Sequence, residues 1–229
     1  MFVVSEAWEA AYPGAAVGIL TMRGVANPEH DAALDRRKSE LEQELRARFG
    51  GYDRAALRAL PILEAYHSYY KGFKKTYHVQ LQLESVALKG KSIPGGAALV
   101  EAMFMAELEH LLLTAGHDWA VVEAPVIVKI ACGTERYLRL NGQEQTLKAG
   151  DMYIADTQGV LSSVLYGPDQ RTRITSGTRE ALFTTYAPPG IGAGEVLRHL
   201  ETLSAYARLI SPGAEVAALE VFEAAPGRA

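Results

Sequence analysis

The sequence predicts an α+β fold in a single domain spanning residues 1–229. Three observations carry this. Helical patterns fill the first half of the chain, strand-like runs separated by turn signals fill the span from 124 to 186, and no repeat, low-complexity tract or linker divides the chain.

The elements follow in order. Residues 17–22, Val-Gly-Ile-Leu-Thr-Met, read as a first strand. Asn27-Pro28 reads as a helix start, because an Asn side chain accepts backbone N–H groups at a cap and Pro fits the first turn. The helix then runs through a charge-rich stretch. Leu34, Leu41, Leu45 and Phe49 form its apolar stripe, and Gly50-Gly51 stops it. A second helix is expected over 62–70 and a third over 78–89, where Val79, Leu83 and Val86 lie at helical spacing. The fourth, 97–114, is apolar almost all round and is read as the central buried helix, with Phe104 as a packing residue. Strands are expected at 124–132, 136–140, 152–155, 160–166, 171–175 and 181–186. Asn141-Gly142 marks a hairpin between two of them, and Gly167-Pro168-Asp169 marks another turn. A helix over 194–209 and a strand over 217–222 close the chain.

Composition bounds the function. Hydrophobic residues make up 48% of the 229, enough for a real core. The formal charge of −4 opposes broad, charge-driven nucleic-acid binding, which needs many Lys and Arg contacts to phosphate. A lone cysteine, Cys132, excludes an internal disulfide and fits a reducing cytoplasm. Its place in an apolar run reads as a buried, inert thiol. The N-terminus lacks the basic region and long apolar run of a signal peptide, and no window of about 18 apolar residues offers a membrane span. The chain is expected to be cytoplasmic, a monomer or small homo-oligomer, and without a cofactor.

Three groups of residues could carry chemistry. The first is the segment 66–78, where Tyr66 and further tyrosines alternate with Lys71, Lys74 and Lys75. From Glu64 to Lys91 there are five lysines against two glutamates, a local +3 in an acidic chain. Aromatics stack on bases and lysines neutralise phosphates, whereas the bland alternative is a tyrosine-packed helix end with solvated lysines. The second group is Glu107, His110, His117 and Asp118. Glu107 and His110 have the i, i+3 spacing of a carboxylate-bridged metal pair, but such sites need a second copy and further carboxylates, so no metal is expected. His117-Asp118, placed just after the central helix, suits a general base with its orienting carboxylate facing a cleft. Alternatively, Asp118 caps the following loop and His117 fills a satisfied hydrogen-bond slot. The third group is Arg171 and Arg173, which would share one face of a strand and hold a phosphate or carboxylate, or else pair with Asp169 to pin a turn. Phosphate loops, dinucleotide fingerprints, nucleophile elbows and zinc-spaced Cys/His sets are all missing from the sequence.

Taken together, Lys91 to Pro94, Leu99-Val100-Glu101, His117-Asp118, Gly150-Asp151 with Asp156, Gly159-Val160, Thr178 to Tyr186 and Pro189-Gly190-Ile191 resemble the tRNA-binding and editing module of the bacterial phenylalanyl-tRNA synthetase beta chain. They resemble more closely its free-standing relatives, the phenylalanyl-tRNA-synthetase-like DNA/RNA-binding proteins. The resemblance covers roughly residues 60–212. It implies a three-layer α/β fold containing a β-sandwich of unusual topology, weak tRNA or other RNA binding, and hydrolysis of a misplaced aminoacyl ester. The chain departs from the family at the pocket. The family's Thr-Asn pair falls at Met103-Phe104, its pocket histidine near Ala115, and its glutamate near Arg179. The sequence lacks synthetase catalytic motifs. The expectation is therefore a stand-alone RNA-binding protein with possible editing, in which His117 and Asp118 catalyse and Tyr66, Lys71, Lys74, Lys75, Glu107, Arg171 and Arg173 bind. The alternative is a small-molecule binder or enzyme that reuses the same pocket without nucleic acid.

Overall fold

A short strand β1 (Phe2–Val4) and a helix α1 (Glu6–Ala11), capped by the Ser5 hydroxyl, lead into β2 (Ala16–Arg23). The structure is a computed structural model and describes residues 1–225. Helices α2 (Ala32–Phe49), α3 (Arg54–Arg58), α4 (Pro61–Gly72) and α5 (His78–Leu83) follow, the last continuing as a π-helical turn over Glu84–Leu88. Then come α6 (Ala98–His110) and β3 (Leu113–Asp118). The β-rich half holds β4 (Val126–Ile130), the hairpin β5 (Arg136–Leu138) and β6 (Glu144–Thr146), β7 (Met152–Asp156), β8 (Gly159–Ser163), β9 (Gly167–Pro168) and β10 (Glu180–Ala187). Helix α7 (Ala193–Ile210) and strand β11 (Glu215–Glu223) end the described fold.

The fold is α+β. An antiparallel sheet in the order β11-β2-β10-β3 forms one layer, and β1-β4-β7-β8-β9 forms a second. Side chains alternate across a strand, so the first sheet has two distinct faces. One meets the helices: Thr114 of β3 hydrogen-bonds His199 of α7, and Gly18 of β2 lies under that same helix. A Cβ at Gly18 would stand 2.4 Å from Val196 Cγ1 and 2.8 Å from Leu200 Cδ1, so the absent side chain sets how closely α7 approaches. The other face meets the second sheet, where His117 of β3 and Tyr186 of β10 both bond Ser162 of β8. Helix α4 closes one end of both layers through three tyrosines. The hydroxyl of Tyr66 donates to Tyr186 O, that of Tyr69 to Asp151 Oδ1 at 2.7 Å, and that of Tyr70 to Val164 O at 2.8 Å.

Several expectations are corrected. The central helix stops at His110, four residues short, because Leu111 takes a left-handed conformation (φ 61°). The residues that follow join the sheet as β3, so Gly116, His117 and Asp118 lie on a strand. Asn27 does not cap the helix after it. That helix is capped by Asp31, whose carboxylate accepts from Ala33 and Leu34 N–H. Asn27 is buried and its Oδ1 accepts from Leu99 N–H at 2.9 Å, so it caps α6, some seventy residues on, whose own N-cap Ala97 has no side chain to offer. Residues 171–175 are not a strand, so Arg171 and Arg173 share no strand face. Cys132 lies past the end of β4 and is exposed. Elements β1, α1, α3 and β6 have no counterpart in the sequence expectation, each being six residues or fewer.

Candidate functional site

Helix α6 is buried on most sides, but Val100, Met103, Phe104 and Glu107 share one stripe at i, i+3, i+4 and i+7. That stripe faces a cavity of about 510 Å³. Its opposite wall is the open edge of β3, Leu113 to Gly116, and its far side is built from Ser163 and Val164 after β8, Gly167 and Pro168 of β9, and Ile174. Gln82 of α5 and Tyr186 of β10 also contribute. His78, Leu140 and Arg173 stand exposed around the mouth. Volume and lining are those of a small-molecule site, largely apolar with few polar groups.

Strand β3 is the edge of its sheet, and an edge leaves every second N–H and C=O unpaired. The fold deals with this residue by residue. Thr114 N–H donates to Glu107 Oε1 at 2.7 Å, and Asp118 N–H donates to Thr172 O at 2.7 Å. Gly116, between them, has the same outward parity and faces the cavity wall. A Cβ there would lie 2.8 Å from Ile174 Cδ1 and 3.3 Å from Met103 Sδ, so glycine keeps this edge open.

Glu107 is only 1% exposed. Burial pushes its carboxyl up to about 8, against which the Thr114 N–H acts weakly. It makes no ion pair among the described residues, and no hydrogen bond reaches its Oε2 there. At neutral pH it is mostly protonated, a carboxylic acid on the wall of an apolar cavity. Sequence reasoning placed Glu107 among the binding residues but missed its cavity partners. The signal was present, since Val100, Phe104 and Glu107 repeat at helical spacing around a carboxylate that no nearby cation matches.

His117 and Asp118 do not face this cavity. His117 is wholly buried (0% exposed), and both its ring nitrogens are engaged. Thr172 Oγ1 donates to Asp169 Oδ1, so it accepts from His117 Nδ1 at 2.7 Å. Nε2 then accepts from the Ser162 hydroxyl at 3.1 Å, whose oxygen also meets Tyr186 OH at 2.7 Å. Burial, followed by the Arg171 charge, lowers the imidazole to about 3, so it stays neutral. Asp118 accepts from Ala120 N–H at 3.1 Å and from the Thr178 hydroxyl at 2.7 Å, capping the short helical turn Trp119–Val121. The two side chains point to different neighbours, and neither offers a free atom to a substrate.

The remaining candidates divide. Arg171 forks onto Asp156, both oxygens at 2.9 Å, and donates to Val121 O at 3.1 Å, with Asp169 Oδ2 3.7 Å from its Nε. This is a structural clamp. Arg173 is separate from it, exposed, and joins Glu107 at the cavity. Tyr66 is fully buried: its hydroxyl accepts from Leu113 N–H at 2.8 Å and bridges the β3–β10 ladder, so its ring cannot stack on a base. Lys71 and Lys74 are exposed on the outside of α4 and its exit. Lys75 sits 4.4 Å from the centre of the Tyr166 ring, and burial, then the charges of Lys148 and Arg139, lower its pKa. Among the described residues, no group of three His, Cys, Asp or Glu side chains is arranged to hold a metal, and no helix is long and apolar enough to cross a membrane.

No family model matches the chain. No curated protein matches it either. Among solved structures it is similar to an N-terminal fragment of the phenylalanyl-tRNA synthetase beta-subunit from Pyrococcus horikoshii, with a TM-score of 0.48 and 14% identity. The likeness is weak. It covers 94% of this chain and 50% of that fragment, so the chain spans half the length of the fragment it matches.

Proposed function

We propose that this protein binds a small, mainly apolar ligand in the cavity between α6 and the open edge of β3, with Glu107 as the principal polar contact. The observation that carries this reading is Glu107 itself: a wholly buried carboxyl with one oxygen unpartnered, facing about 510 Å³ of apolar space. The resembling family's Thr-Asn pair falls at Met103 and Phe104 and its pocket histidine near Ala115, and these three residues line the cavity. Replacing polar groups by apolar ones there favours binding over ester hydrolysis, since none of the three can hold or activate a water. The sealed environment of His117 points the same way.

The test is fluorescence titration with the neutral apolar dye N-phenyl-1-naphthylamine. The parent is expected to bind it in the micromolar range, and Val100→Trp, which fills the cavity from its half-exposed wall, is expected to weaken binding at least tenfold with an unchanged thermal melt. Equal binding by both proteins would sink the reading.

RNA contact is a second reading, favoured by one observation. Lys148 and Arg139 lie close enough to Lys75 to help lower its pKa, and Arg139 adjoins Leu140 of the cavity mouth in sequence. Few phosphate contacts imply a dissociation constant on the order of 10⁻⁴ to 10⁻⁶ M. Filter binding of tRNA across a salt series, with Lys71, Lys74 and Lys75 replaced by Ala, is expected to give a weaker and flatter dependence. An unchanged salt slope would remove this segment from any RNA face.

A further inference from the structure

We propose that the ligand class of this cavity is an organic amine with an apolar body, its ammonium seated on the free oxygen of Glu107. The inference rests on the cavity-binding reading above and deepens it.

The argument is one of donors and acceptors. Glu107 Oε1 is occupied by Thr114 N–H, and Oε2 has no partner among the described residues. Once ionised, Glu107 presents an unpaired acceptor to the apolar space, and a bound molecule has to bring the donor. An ammonium brings three N–H donors and no acceptor.

The charge pattern agrees. Tyr66 and Tyr70 of α4 and Tyr77 lie near Glu107, Tyr186 lines the same cavity, and burial raises all four phenols, which stay neutral. His199 of α7, which bonds Thr114, is lowered to about 3 by burial and is also neutral. His78 and Arg173 stand out at the mouth, exposed. Among the described residues no cation pairs with the carboxyl, so a ligand cation is the group that would stabilise its ionised form. Binding is then proton-linked. The neutral acid loses its proton to solvent, the carboxylate so formed pairs with the incoming ammonium, and no covalent bond is made or broken in the ligand.

Calorimetry on the full chain with two probes of equal shape, 2-phenylethylamine and 2-phenylethanol, tests this. In the parent at pH 8 the amine is expected to bind at least tenfold tighter than the alcohol. Its affinity should weaken by up to about tenfold per pH unit below 8, as protons compete for Glu107, while the alcohol stays flat. Glu107→Gln keeps an acceptor for Thr114 N–H and so keeps the fold. It should abolish the amine preference, so that the two probes bind the variant alike. If the alcohol binds the parent as tightly as the amine, or the Gln variant retains the preference, the amine assignment is overturned while the cavity reading stands. If neither probe binds the parent, both are overturned.

Discussion

Two buried ionisable side chains lie at opposite ends of the same edge strand, and the fold treats them in opposite ways. At one end, His117 is enclosed by Thr172, Ser162 and, through Thr172, Asp169, with every polar atom engaged within 3.1 Å. At the other, Glu107 reaches the strand from α6, satisfies Thr114 N–H with one oxygen, and has no partner among the described residues for the other, on the wall of the cavity. Both are shifted strongly away from their ordinary ionisation, and burial is the main cause for each. Burial and a perturbed pKa therefore do not separate a site from a structural knot. What separates them is whether a polar atom without a partner looks onto volume that a ligand can fill.

The largest effect expected from breaking this comparison is at the closed end. His117→Ala leaves the Thr172 and Ser162 hydroxyls short of partners and opens a void, so it should cost about 3–5 kcal/mol in denaturant melts. The parent should show a related acid sensitivity. The folded pKa of His117 is near 3 and the unfolded value near 6.5, so the unfolded chain binds the extra proton between those limits and stability falls as pH drops through that window. A variant that melts like the parent would mean that the knot is not closed.

At the open end the sign reverses. Glu107 has a raised folded pKa, so the unfolded chain loses its proton first and stability falls as pH rises from about 4.5 to about 8. Glu107→Gln removes that dependence. It should match the parent near pH 4 and exceed it by about 3 kcal/mol at pH 7. A variant less stable than the parent at neutral pH would show that the carboxyl is paired after all.

Phe104→Ala sharpens the comparison at the cavity wall. The sequence alone reads this residue as core, for which truncation costs about 3–5 kcal/mol. Half-buried and facing the cavity, it should cost only about 1–2 kcal/mol, while apolar dye binding changes markedly. A full core penalty would mean that the cavity is closed to ligands. The smallest effect belongs to the surface. Replacing Lys71, Lys74 and Lys75 with Ala should shift stability by less than about 0.5 kcal/mol per site, with Lys75 contributing most through its Tyr166 contact.

Much of the fold was legible in the sequence. The stripe Leu34, Leu41, Leu45 and Phe49 is the buried face of α2, the Asn141-Gly142 hairpin joins β5 to β6, and β2, β10, α7 and β11 fall where strand and helix patterns place them. The failures share a cause. Residues 111–116 are apolar apart from Thr114 and continue the apolar run of the helix, so periodicity cannot tell the end of a buried helix from the start of a buried strand. The break depends on one left-handed residue, Leu111, which carries no glycine signal. That single misplaced boundary put His117-Asp118 at a helix end beside a cleft, when alternation along β3 points His117 into the second sheet. Asn27 misled in the same way: its capping chemistry was real, but the helix it caps lies some seventy residues on, and long-range partners leave no local trace. In the tyrosine-rich segment 66–78, Tyr66, Tyr69 and Tyr70 turn inward and the lysines outward, which composition does not resolve.

The most direct measurement is a titration of the Glu107 carboxyl by carbon-13 NMR, with its resonance assigned by its loss in Glu107→Gln. A carboxyl that is buried, singly hydrogen-bonded and without a counter-charge should titrate with a midpoint near 8. A midpoint near 4.5, the ordinary value for glutamate, would contradict the account, because it would place that side chain in water or against a cation and remove the feature on which the cavity's function is argued.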